Sequence, residues 1–114
     1  MVQSIRKLGN YTIIDVVEPS RSYEDITTIK ATLETLLEQN SVFVAINLNK
    51  VDFVHSYFIK ILTSAYKKLK LKGGDLCVIG ANEFIRNLMR LLNIDEFIAV
   101  FSGEEAFLEY IRVE

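Results

Sequence analysis

With 114 residues, half of them hydrophobic, the chain holds enough apolar material for one core and too little for two, so a single domain over residues 1–114 is expected. Thirteen basic and fifteen acidic residues leave a net charge of -2, which gives no global field to hold nucleic acid or an anionic membrane surface. One histidine and one cysteine exclude an internal disulfide and argue against a zinc centre, and no apolar run approaches the roughly 18 residues of a membrane span.

The opening Met1-Val2-Gln3-Ser4-Ile5-Arg6 carries no apolar signal core, so a cytoplasmic protein is expected. Ser4 to Lys7 reads as a weak strand joined through the turn Gly9-Asn10 to a stronger one, the β-branched run Tyr11 to Val17. Ile26, Ile29, Leu33, Leu36 and Leu37 then recur at helical spacing, with Ser22 and Asp25 as a capping box ahead of them; this helix should run from near Tyr23 to Gln39-Asn40.

Val42 to Ile46 is a short apolar run of the kind buried on both faces of a parallel sheet. A turn follows, and then a second helix with Phe58, Ile61, Leu62, Ala65, Tyr66 and Leu69 inward, lysines in its last turns and Gly73-Gly74 as its stop. Lys67, Lys68, Lys70 and Lys72 complement the helix dipole and lack interleaved aromatics, so they read as a helix end and not as a nucleic-acid patch.

Leu76 to Ile79 is a third buried strand, and its Cys77 a structural thiol in a reducing compartment. A third helix after Asn82 should place Phe84, Ile85, Leu88, Leu91 and Leu92 inward and close near Asn93. Phe97 to Phe101 reads as the last strand. Ser102 and Glu105 form a capping box for a terminal helix from Glu104 to Ile111 that docks through Phe107, Leu108 and Ile111. The order predicts an α/β fold: a mixed, mostly parallel sheet with an N-terminal antiparallel hairpin, right-handed crossovers and about four helices.

Reactive groups are sparse. A Ser-His-Asp arrangement would need His55, whose neighbour Ser56 is poorly placed to share a hydrogen bond with it, so no enzyme activity is expected. No GxGxxG fingerprint or P-loop is present, and no cofactor or metal is expected. A receiver domain would need an acidic cluster at its strand ends, whereas the strand ending at Ile46 leads into Asn47-Leu48-Asn49. Ser56 is open to two readings: the N-cap of the second helix, or a phosphate acceptor at the positive end of the helix dipole.

From Val42 to Ile111 the chain resembles the STAS domain, the family of bacterial anti-sigma factor antagonists. The resemblance is carried by Val44-Ala45-Ile46-Asn47-Leu48-Asn49-Lys50-Val51-Asp52-Phe53-Val54-His55-Ser56-Tyr57-Phe58-Ile59, by the helix end Lys72-Gly73-Gly74-Asp75-Leu76, and by Leu92 to Phe97 and Phe101 to Ala106 in order. It implies a STAS-like fold and a protein partner, a kinase-type anti-sigma factor or related serine kinase. Ser56 would be the phosphoacceptor whose modification breaks the complex, and Asn49, His55, Ser56, Tyr57, Phe58 and Lys60 the contact surface. The departures fall on the family's Asp-Ser-Ser/Thr-Gly motif. His55 stands for the acid, Tyr57 for the second hydroxyl, Phe58 for the glycine, and Asn47 for the aspartate that ends the strand; the family's early Gly-x-Leu-Asp pattern is replaced around Val17-Glu18-Pro19-Ser20. The alternative is a phosphorylation-independent STAS module that contacts a partner or senses a nucleotide or other small ligand. Partner, pathway and oligomeric state are not encoded in any motif.

Overall fold

The computed structural model describes residues 2–17, 23–52 and 54–112. Five strands form one sheet in sequence order: β1 (Val2–Leu8), β2 (Tyr11–Val16), β3 (Phe43–Asn47), β4 (Asp75–Ile79) and β5 (Ala99–Phe101). The β1–β2 pair is antiparallel, with Leu8 opposite Tyr11 across Gly9-Asn10, and the other three pairings are parallel. Helices α1 (Tyr23–Glu38), α2 (Ser56–Leu71) and α3 (Glu83–Leu91) are the crossovers, and α4 (Glu104–Arg112) ends the described chain.

Alternation along the strands divides the core. Ile14, Val16, Val44, Ile46, Leu76 and Val78 pack with the inner faces of α1, α2 and α3. Tyr11, Ile13, Ala45, Cys77 and Ile79 face the other way, onto Phe107 of α4. The Phe107 ring meets Tyr11 and Phe101 edge-on, with centroids 5.1 and 5.6 Å away. Such edge-to-face contacts add to burial because the ring quadrupoles are complementary.

The helix ends follow from their residues. Gly73, at φ +82°, lets its N–H reach the Lys70 carbonyl while the Gly74 N–H reaches that of Leu69, a paired closure that satisfies two orphan carbonyls of α2. Asn40, at φ +60°, ends α1 in the same way, with Ser41 donating to Leu36. The expected capping box at Ser22 and Asp25 lies outside the residues whose side chains are described.

Three elements differ from the sequence reading. On α3 the buried residues are Ile85 and Met89, whereas Phe84, Leu91 and Leu92 expose 55, 80 and 49 % of their surface. The helix carries two apolar stripes about one residue apart, and the core is completed by Ile94 and Ile98 beyond the helix instead of by Leu91 and Leu92. The last strand is also shorter than expected. Ile94–Glu96 form a 3-10 turn whose bonds, from the Phe97 and Ile98 N–H groups to the Ile94 carbonyl, keep both residues out of β5. At α4, Gly103 and not Ser102 precedes the first helical residue; its carbonyl accepts from the Phe107 N–H, and Ser102 makes no hydrogen bond to a described residue.

Candidate functional site

The β3–α2 turn lies at the carboxyl ends of the parallel strands, where open α/β sheets present their ligand and partner sites. Its spacing dictates its shape. Leu48, Val51 and Val54, three residues apart, are buried, and the intervening Asn49, Lys50, Asp52 and His55 are exposed. The Leu48 N–H donates to the Ile79 carbonyl at 2.8 Å, and the Val51 N–H to the Leu48 carbonyl at 3.0 Å. The turn is therefore pinned to the core at three points while its polar side chains face outward.

At the turn's end, His55 has extended backbone (φ -82°, ψ 156°), and its carbonyl accepts from the N–H groups of Phe58 and Ile59. His55 is thus the N-cap, and it makes no side-chain capping bond. This corrects the capping reading of Ser56: the serine is the first helical residue. Its side chain is exposed and its hydroxyl makes no hydrogen bond to a described residue. It projects from the positive end of a 16-residue helix with no acid in its first turn.

Tyr57 is half-buried and Lys60 exposed on the next turn. Phe58 is 0 % exposed and packs among the core residues of α2, so of the six expected contact residues it is the one the fold removes from the surface. Phe53 lies outside the described residues, as do Glu18, Pro19 and Ser20.

Beside the turn stands a polar cluster that the motif reading missed. Asp15, near the end of β2, accepts hydrogen bonds from Arg6 Nε at 2.6 Å and a second Arg6 nitrogen at 2.9 Å, from Ser4 Oγ at 2.8 Å and from Asn47 Nδ2 at 2.8 Å. Arg6 also binds Glu104 at 2.8 Å, tying β1 to α4. The bond from Arg6 is the main reason that the Asp15 carboxyl is held down at about 2; burial opposes the shift, and the amide of Asn47 and hydroxyl of Ser4 add to it. The same contacts raise the already high Arg6 pKa further. The Asn47 side-chain oxygen Oδ1 in turn accepts from the Asn49 backbone N–H at 3.1 Å, so the cluster reaches the turn. A cavity of about 250 Å³ opens here, lined by Ser4, Asp15, Asn47, Asn49 and Lys50 among others. It includes Asn49 but neither His55 nor Ser56.

Hairpin register could have revealed this cluster. A two-residue loop at Gly9-Asn10 sets Ser4 opposite Asp15 and Arg6 opposite Ile13, which leaves Arg6 diagonal to Asp15 on one face. Among the described residues no group of three or more His, Cys, Asp or Glu side chains could hold a metal ion, and no helix is long and apolar enough to cross a membrane.

A mixed five-stranded sheet opened by an antiparallel hairpin, with three helices on one face and α4 on the other, defines the fold as α/β. The STAS domain profile matches residues 4–106, and the chain belongs to the STAS domain family. No curated protein matches its sequence. Among solved structures, an anti-sigma factor antagonist from Mycobacterium paratuberculosis superimposes with a TM-score of 0.83 at 17% identity, over 96% of this chain and 92% of that one. The anti-sigma factor antagonist SpoIIAA in its unphosphorylated form gives 0.77 at 12% identity, over 96% of each chain. The Bacillus cell-fate determinant SpoIIAA in its phosphorylated form gives 0.74 at 14% identity, over 97% of this chain and 98% of that one. At these identities the likeness shows the fold.

Proposed function

We propose that this protein is an anti-sigma factor antagonist: a cytoplasmic regulatory module that binds a serine-kinase anti-sigma factor through the β3–α2 turn and the first turns of α2. The direct contacts are Asn49, His55, Ser56, Tyr57 and Lys60, and Phe58 supports them from beneath. Ser56 is the phosphoacceptor. One observation carries the reading: in a STAS chain, Ser56 is an exposed serine at the first position of α2, its hydroxyl bonded to no described residue.

The chemistry is consistent with a switch. A phosphoryl group adds about -1.5 to -2 charge at neutral pH. On the free protein that charge sits at the positive helix end, whereas in a closed interface it must be desolvated, and each 1.4 kcal/mol of that penalty loosens the complex about tenfold. Phe58 replaces a small residue of the family motif, yet with its ring in the core it leaves the approach to Ser56 open.

Intact-mass measurement after incubation with ATP and a serine-kinase anti-sigma factor from the same genome tests the switch. One added phosphoryl group is expected, absent from Ser56→Ala. An unmodified wild type, or an equally modified Ser56→Ala, would refute Ser56 as the acceptor.

A further inference from the structure

A groove of about 330 Å³ runs between α1 and α2, on the helical side of the sheet and away from the Asp15 cluster. Its floor is apolar, made by Leu33 and Leu37 of α1 and by Ile61 and Ala65 of α2. Its rim is basic: Lys30, Lys60 and Lys68 line it, with Glu34 as the one acid. That leaves two surplus positive charges in a chain whose net charge is -2. All three lysines are exposed, and none forms an ion pair with a described residue.

Size selects among occupants. The groove extends along α2 from Tyr57 to Lys68, eleven residues or roughly 16 Å at helical rise. One extended aliphatic chain fits. The lysine stems can flank such a chain while their ammonium groups stay in water beside an anionic head.

Direction follows from topology. Because β2, β3 and β4 are parallel, α1 and α2 run the same way, and Lys30 and Lys60 stand toward the N-terminal ends of the groove while Leu37 and Lys68 lie further along. We infer that this groove binds a single-chain fatty carboxylate, its head between Lys30 and Lys60 and its chain along Leu33, Ile61, Ala65 and Leu37. The inference needs no second protein, and the groove shares Tyr57 and Lys60 with the proposed partner surface.

The test is titration of the full chain with dodecanoate below its micelle concentration, followed by calorimetry and by amide shifts. Expected are saturable one-site binding, shifts on α1 and α2, at least tenfold weaker binding of dodecylamine, and at least tenfold weaker dodecanoate binding by K30E/K60E. Both lysines are exposed, so an unchanged melting curve for that variant verifies its fold. Failure of dodecanoate to saturate, equal binding of the amine, or full binding by K30E/K60E would overturn the inference.

Discussion

Gly80 lies so close to Asn49 that a β-carbon on the glycine would stand 3.1 Å from the Asn49 Cβ and 3.2 Å from its Cα. Gly80 follows β4 at φ +72°, where a side chain is strained in any case. The turn between β3 and α2 therefore rests directly on the backbone at the end of the neighbouring strand. Gly80→Ala should cost about 1–3 kcal/mol of stability through strain and crowding, measured by urea denaturation, and should weaken partner binding by displacing Asn49.

Asn82 gives a second handle on the turn. Its side-chain oxygen accepts from the Ile85 N–H at 2.8 Å, capping α3, and its Nδ2 donates to the Asp52 carbonyl at 2.7 Å. Asn82→Ala should therefore cost more than the ~1 kcal/mol of a cap alone, and Asn82→Ser, which retains a capping oxygen, should recover part of the loss. Equal stability of the two variants in denaturant would contradict the shared role.

Asn47 stands where the resemblance to the family places an aspartate, and the Asp15 contact gives a reason. With Asp15 ionised and 2.8 Å away, a carboxylate at position 47 would lose the donated hydrogen bond and add like-charge repulsion. Asn47→Asp should destabilise by about 1–3 kcal/mol at pH 7, and the deficit relative to wild type should shrink in acid as one of the two carboxyls takes up a proton. Denaturation midpoints at pH 7 and pH 4 test this.

Asp15 itself imposes a pH dependence. Its carboxyl falls from 3.8 to about 2 on folding, so the unfolded chain binds the proton more readily. The stabilisation is fully present above about pH 4 and is lost as pH falls toward 2. Arg6 is 41% exposed, so solvent screening reduces the contribution to on the order of 1 kcal/mol. Asp15→Asn should flatten this acid limb in melts across that range.

Much of the fold was legible because each signal was local. Gly73-Gly74 ended α2, the apolar runs became β3 and β4, and Phe107 docked α4 as its pattern required. The inner face of α3 was not legible, because two apolar stripes side by side leave periodicity undecided until the neighbours Ile94 and Ile98 fill the core. At the site, the turn and helix start were readable from the run Asn47 to Phe58. The identity of the cap was not, since His55 holds that position through its backbone and offers no capping side chain. The Asp15 cluster depends on pairing across the hairpin, which no single segment displays.

The central claim is tested most directly by the dissociation constant of the complex with a serine-kinase anti-sigma factor from the same genome, measured by calorimetry for wild type, Ser56→Ala and Ser56→Asp. The predicted result is tight binding by wild type and Ser56→Ala, and at least tenfold weaker binding by Ser56→Asp, a loss of about 1.4 kcal/mol or more. Indistinguishable constants for all three proteins would contradict the switch, and no binding by any of them would contradict the partner.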